Sequence, residues 1–489
     1  AMFSMGAYVE SYLPTYSGGL EILTGDMLRA FADHRVPIAG VIQANNGGYF
    51  RQRIDETGWQ HAEPIHWEPQ LTLERIPQTV TIKNEGRDVK VGAEIYVIEG
   101  VTGHRVPIFL VDTNFEENHD EDRRITTTLY SNEKRLQQEN VLGQGGFKLL
   151  RELGYENIHT FHMNEGHAAF VTLAALEESG YDLEMARQMC VLTTHTPVAA
   201  GHEFHNYEKF QWVAGDFLPG NIRDLGGEGD ELSMTLLGAN GSRYINGVSL
   251  QNGKVCREMP VFHGRTIDHI TNGVHPATWT SNPMANLFDN HFGRFWRLDS
   301  RALEDIEHVS NYEVEGAKEA AKRHLISWVN ATYPVKFQQG ALTLVWARRF
   351  AEYKRPDLIL KDLDFLHQLA EEVGPFQLIY AGKAHPADRD GKGLLQRVYT
   401  TVRDKLNNHL VRAIFAENYD AKIAKRLLAG ADGWLNTPRR SLEACGTSGM
   451  KALFNGTTNL GTYDGWYIEG YERDPNSMFI IGPKSAQTT

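Results

Sequence analysis

The sequence predicts an α/β fold in two domains, and three observations carry that prediction. Short apolar runs of strand length alternate with amphipathic stretches of helical period along the chain. Strands separated by helices build parallel sheets of the doubly wound kind. The chain has 489 residues, beyond the roughly 250–300 at which one hydrophobic core stops growing. Between its halves, "ITNGVHPATWTSNP" (270–283) is rich in Asn, Gly and Pro, as interdomain connections are. We place the domains at 1–278 and 279–489, with a ligand cleft between them. In open parallel sheets ligands bind beyond the carboxyl ends of the strands. The chemistry-bearing residues should therefore follow strands directly.

Composition excludes several classes. Hydrophobic residues make up 41% and charged residues 23%, a globular profile. The net charge of −13 argues against nucleic acid or an anionic membrane as partner. The three cysteines, Cys190, Cys256 and Cys445, are widely spaced and fit no disulfide framework or zinc knuckle. A reducing cytoplasm is the expected location. The longest apolar run, near Ala168–Leu176, is far short of the ~20 residues that span a bilayer. No signal peptide and no fixed-period repeat is visible. The leading "AM" reads as an expression scar and the tail "KSAQTT" as disordered.

In chain order, "YSGGLEILTGD" (16–26) sets a glycine pair before a helix, a generic cradle of N–H groups for an anion. Glu21 puts a carboxylate where that anion would approach. "VPIFLVDT" (106–113) reads as a strand, and the charge run "EENHDEDRR" (116–124) as a solvated loop or helix start. "IHTFHMNEGHAAF" (158–170) is a strand followed by Asn164, Glu165, Gly166 and His167 opening a helix. "MCVLTTHTP" (189–197) puts His195 at another strand end. His162, His167, His195, His202 and His205 bring a metal to mind, but no HExxH or CxxC pattern supports one. We expect no metal, and read the two polar strand ends as a ligand pocket that includes Glu165 and His167.

The second half carries the basic cluster. "WARRFAEYKR" (346–355) ends an apolar strand with Arg348 and Arg349 and adds Lys354 and Arg355, four cations within eight residues. In an acidic chain this is an oxyanion site. "RPDLILKDLDFLHQLAEEV" (355–373) predicts a helix, and "FQLIYAGK" (376–383) and "VRAIFAEN" (411–418) predict strands. In "NTPRRSLEACGTSGMKALFNGTTNLGTYDGW" (436–466), Gly446, Thr447, Ser448 and Gly449 form a small-residue turn before a helix carrying Lys451. A lysine there suits a phosphate clamp or a Schiff base with a carbonyl cofactor. GxxxxGK[ST] is absent, so this is not a P-loop.

"EACGTSGMK" closely resembles the pyridoxal-phosphate lysine motif of the α-glucan phosphorylases (glycogen, starch and maltodextrin). "RRFAEYKR" resembles their phosphate-site motif. "FSMGAYVESYLPTYSGGLEILTGD", "GGYFRQRIDETGWQ", "HMNEGHAAF", "TTHTPVAAGH" and "ITNGVHPATW" follow the order of the shorter bacterial and archaeal branch, from about residue 3 to about 466. The Gly-Gly motif alone is shared with glycogen synthases.

The resemblance implies two Rossmann-like domains with an interdomain active site, the GT-B type of glycosyltransferase. The first would be the glucan side; the second would hold pyridoxal phosphate and the phosphate site. It implies reversible, retaining phosphorolysis of α-1,4-glucan ends to glucose 1-phosphate, in a cytoplasmic protein and possible homodimer. By position, Lys451 would form the Schiff base with pyridoxal 5′-phosphate, and Thr447 would bind its phosphate with Arg348 and Lys354 beside it. Arg349 would hold the substrate phosphate. Glu443, Ala444, Cys445 and Gly446 would line the glucosyl site, and His195 and Asn272 would bind the sugar. Trp279 and Tyr8 would border the cofactor pocket. Gly18 would allow close approach, while Gly19 and Leu20 would bring N–H groups to the phosphates and anomeric centre.

Three positions depart from the family pattern. Gly6 stands where the family usually has Glu, Glu21 where it usually has Gly, and Cys445 where it commonly has Ser. Two rival readings follow: a cofactor-free retaining sugar-nucleotide glycosyltransferase of the same fold, and a degenerate glucan-binding or regulatory protein. Synthase-like enzymes place a second Glu eight residues after the first in this motif. Lys451 stands there instead, which favours the phosphorylase.

Overall fold

A computed structural model describes residues 1–131, 133–198, 201–215 and 218–484. Ala199 and Ala200 of the "TTHTPVAAGH" run, and Ser485–Thr489 of the tail expected to be disordered, lie outside the described residues. Among the described residues no helix is long and apolar enough to cross a membrane. The chain forms two compact units, 1–50 with 64–272, and 51–63 with 273–489. Both are mixed α/β and built on parallel sheets.

In the first unit, Met2–Phe3 pairs in parallel with Gly40–Gln43 on one side and Phe161–Asn164 on the other. Arg105–Asp112 extends the sheet beyond Gly40–Gln43, and Cys190–Thr193, Tyr244–Gly247 and Asp268–His269 extend it beyond Phe161–Asn164. Counting parallel strands along the chain, the order is 3-2-1-4-5-6-7, the doubly wound order, which reverses between strands 1 and 4. Arg87–Glu99 then pairs antiparallel along Arg105–Asp112. Both sheet faces are buried. Phe3, Val41, Phe109 and Val111 point into one core, and Met2, Ile42, Ile108 and Leu110 into the other, the period-2 alternation of a strand.

The second unit repeats this plan in a six-stranded parallel sheet. Its chain order is Leu342–Ala347, Phe376–Ala381, Val411–Ala416, Gly433–Asn436, Thr458–Thr462 and Met478–Ile481. The spatial order is 3-2-1-4-5-6, reversing between Leu342–Ala347 and Gly433–Asn436. Every residue of Phe376–Ala381 is buried, which is why this strand reads as a continuous apolar run.

Three local expectations change. The helix expected over 355–373 is a short 3-10 turn, Leu358–Leu360, followed by a helix from Leu363 to Val373. Asp362 divides them, its carboxylate accepting from the Phe365 N–H at 2.9 Å as an N-cap. The charge run 116–124 is not uniformly solvated. Asp122 is buried and accepts from Arg87 Nε at 2.7 Å and Asn84 Nδ2 at 3.2 Å. Residues 51–63, inside the range assigned to the first domain, form the hairpin Arg51–Ile54/Gln60–Glu63 of the second unit. Gln52 Nε2 donates to the Gly382 carbonyl at 2.9 Å and Gln60 Nε2 to that of Ala384 at 2.8 Å. The hairpin thus holds the loop that leaves the carboxyl end of Phe376–Ala381.

Candidate active site

At the switch point of the first unit, residues at the carboxyl ends of strands 1, 4 and 5 form one hydrogen-bonded group. Asn164 donates through Nδ2 to Thr24 Oγ1 at 3.0 Å and Ser4 Oγ at 3.3 Å. Its Oδ1 therefore faces His195 Nε2, 2.7 Å away, and accepts from it. Glu165, at φ 81°, is buried, and its Oε2 accepts from the N–H groups of His195 (2.9 Å) and Thr196 (3.1 Å). The His195 carbonyl accepts from Asn252 Nδ2 at 3.3 Å. His167 Nε2 accepts the Met5 N–H at 3.2 Å. Burial lowers the pKa of both His195 and His167, with nearby Glu165 and Glu21 opposing the shift at His195. Both imidazoles are thus neutral and their tautomers fixed by partners. The half-buried Asn272 donates its N–H to the Val248 carbonyl at 3.0 Å. Tyr8 is buried edge-on against Tyr16, with ring centroids 5.0 Å apart.

The glycine loop differs from an open anion cradle. The helix Gly19–Asp33 is closed by a capping box in which Glu21 reaches back over its own first turn. Glu21 Oε2 accepts from the N–H of Gly18 at 2.8 Å, the N–H of Ser17 at 3.2 Å and Ser17 Oγ at 3.1 Å. Its Oε1 accepts from the Tyr130 hydroxyl. Glu21 as a whole is 1% exposed. Two N–H groups of the expected cradle thus serve Glu21. Those of Gly19 and Leu20, at the exposed tip of the loop, donate to no acceptor among the described residues.

The second unit gathers its cations at its own switch point. Arg348, directly after Leu342–Ala347, donates to Asn436 Oδ1 and, at 3.0 Å, to the Leu435 carbonyl. Lys354 pairs with Glu443, whose carboxylate also lies 3.8 Å from Arg348 Nη1. Burial alone would raise the pKa of Glu443, but Lys354 and then Arg348 hold it below the ordinary range. Arg349 is exposed and makes no hydrogen bond or ion pair among the described residues. Arg355, read as part of the oxyanion site, instead donates to the Thr437 and Pro438 carbonyls at 2.8 and 2.9 Å.

Lys451 lies in the helix Ser448–Leu453 and is 5% exposed. Its ammonium sits 3.9 Å from the centroid of the Trp279 ring. Asn455 sets this pairing, donating to the Trp279 carbonyl at 2.8 Å and the Lys451 carbonyl at 3.0 Å. Thr447 and Ala444 are half-buried and Cys445 is buried. Gly446, at φ +89°, needs the left-handed region that glycine adopts freely, and a Cβ there would lie 3.3 Å from Asn436 Nδ2.

The donor set fits an anionic carbonyl cofactor. A buried lysine lies against an aromatic face, and a buried donor nearby, Arg348 Nε, has no partner among the described residues. Buried orphan donors are rare and want an acceptor. Reading the sequence alone missed Asn436, Asn455 and Lys383. Burial lowers Lys383 to about 8, with Asp420 opposing. Its signal was present, since it follows the apolar strand "FQLIYA" as Arg348 follows "LTLVWA".

A family model for the carbohydrate phosphorylases matches residues 222–489, more than half of the chain. The chain belongs to the carbohydrate phosphorylase family. It is 37% identical over 522 residues to the maltodextrin phosphorylase of Thermococcus litoralis, covering 98% of this chain and 62% of that one. It is 36% identical over 540 residues to a glycogen phosphorylase of Mycobacterium tuberculosis, covering 96% and 61%. To the glycogen phosphorylase of Aquifex aeolicus it is 34% identical over 512 residues, covering 93% and 72%. The chain thus spans 62% and 61% of the length of the first two relatives.

Proposed function

We propose that this carbohydrate phosphorylase acts on α-glucans, transferring a glucosyl unit with retention between an α-1,4-glucan end and inorganic phosphate. The observation that carries the reading is Lys451, buried against Trp279 in a family-type motif and set beside a cation cluster. The two units are read as the Rossmann-like halves of a GT-B transferase. The first brings the glucan side, and the second the cofactor and phosphate side.

Lys451 would hold pyridoxal phosphate, which when bound would supply a phosphate group for proton exchange with the substrate phosphate. Trp279 packs against Lys451, and Thr447, Arg348 and Asn436 would donate to the cofactor's phosphate. Arg349, uncommitted among the described residues, takes the incoming phosphate. Two phosphate groups in contact would repel strongly at low dielectric, and Arg348, Arg349, Lys354 and Lys383 would together offset that repulsion. Glu443 offsets part of that positive charge and holds Lys354 in place. Gly446, Ala444 and Cys445 line the glucosyl pocket with Glu443. His195, neutral and oriented by Asn164, presents its imidazole to a sugar hydroxyl, and Asn272 offers its amide. Glu165 and His167 position these groups. Gly19 and Leu20 offer their open N–H groups.

Glucose 1-phosphate released from maltodextrin and phosphate tests the activity. Borohydride reduction and peptide mapping test the cofactor. A pyridoxyl group on Lys451 is expected. Its absence, with transfer from a nucleotide sugar, would establish the cofactor-free transferase. Glucan binding without glucose 1-phosphate would establish the degenerate protein.

A further inference from the structure

One group of imidazole and carboxylate side chains lies outside both switch points. Glu139, in the helix Arg135–Asn140, faces Glu203 and His205 at the start of the strand Phe204–Asn206. Residues two apart on an extended chain share a side, so Glu203 and His205 approach Glu139 together. One donor atom from each of the three lies within 4.8 Å of the others. His205 Nε2 is 3.3 Å from Glu139 Oε2. Arg135 Nε is 3.2 Å from Glu203 Oε1. The other two carboxylate oxygens, Glu139 Oε1 and Glu203 Oε2, are buried and accept from no N–H or hydroxyl among the described residues; they face each other, and the Glu139 side chain is 0% exposed.

The charges do not balance. Arg135 offsets the Glu203 carboxylate, while Glu139 has no lysine or arginine partner among the described residues. A buried carboxylate with an open oxygen recruits a proton or a cation. An imidazole nitrogen and carboxylate oxygens together suit first-row transition ions better than calcium or magnesium. The Glu203 side chain is 30% exposed, which gives an ion a way in.

We propose that Glu139, Glu203 and His205 bind one divalent first-row transition cation, with solvent completing its coordination. The site is tied to the glycine loop. The Arg135 guanidinium lies 4.6 Å from the Tyr130 ring centroid, and Tyr130 donates to Glu21.

The test uses the full chain, stripped with chelator and then exposed to Zn²⁺, Mn²⁺ or Mg²⁺. Metal retained after gel filtration and the thermal midpoint are both read. About one equivalent of Zn²⁺ or Mn²⁺ is expected, with a midpoint rise of several degrees that Mg²⁺ does not produce. Glu139→Gln should abolish retention while matching the metal-free midpoint of the parent. His205→Gln should do the same and carries the test if the first variant misfolds. No retention by the parent would overturn the proposal, leaving a proton shared by the two carboxyls. Equal retention by the variants would overturn it as well.

Discussion

The Glu21 side chain occupies the space beside Gly6. A Cβ on Gly6 would lie 3.1 Å from Glu21 Cγ and 2.3 Å from the Thr15 carbonyl oxygen. The two departures flanking the glycine loop are therefore one feature. Position 6 carries no side chain, and a carboxylate enters the same region from the helix. Glu21 does not project from the loop tip as a repelling charge; it ties the loop down.

Glu21→Ala should cost about 1–3 kcal/mol, from loss of a capping interaction and an unsatisfied Tyr130 hydroxyl. Urea unfolding, followed by a probe in the first unit, measures it. Gly6→Ala should be at least as damaging. Adding Glu21→Gly should not rescue it, because the closer clash is with a backbone carbonyl.

Arg349→Ala should raise the KM for phosphate about 10- to 100-fold, the loss of one charge-assisted contact of about 1.5–3 kcal/mol. The KM for glucan should change little. Equal rises in both constants, measured in initial-rate assays, would remove Arg349 from the phosphate site.

Asn455→Ala should loosen Trp279 from Lys451. The variant leaves the Ser281 N–H, which donates to Asn455 Oδ1 at 2.8 Å, without its acceptor, a cost of about 1–3 kcal/mol. Faster loss of pyridoxal absorbance on dialysis is the expected readout. Unchanged retention would mean that the clamp does not order the lysine.

Acid stability should depend on Glu443. Its folded pKa lies below the ordinary value of 4.5, so the stability it contributes is present above that value. It is lost as pH falls through the folded pKa. Asp464 runs the other way. Desolvation raises it to about 6, so its contribution is full below 3.8 and fades as pH rises through 6. Glu443→Gln should flatten the loss of stability below pH 4.5, as read by urea midpoints at several pH values.

The second unit was the more legible half of the sequence. Its strands are buried on both faces, so "FQLIYA" and "LTLVWA" stand out as apolar runs that end in cations. Met2–Phe3 is two residues long and leaves no run, although it is the strand on which the first sheet reverses. The capping role of Glu21 was written in the sequence as a Glu three residues after Gly18. The glycine pair drew attention to anions instead. Tyr130, Arg135 and Asn455 carried no local signal. Their importance comes from partners far along the chain, which only folding brings near.

The hairpin 51–63 bears on how this chain can be inherited or engineered. A fragment that begins at Gly273 has the whole six-stranded sheet yet lacks Gln52 and Gln60. The Gly382 and Ala384 carbonyls and the N–H groups of Ala384 and Asn418 then lose the side chains that satisfy them. A cut at the obvious linker does not yield two self-sufficient modules. Exchange of halves between relatives has to carry this small insert with the later half, or match it residue for residue.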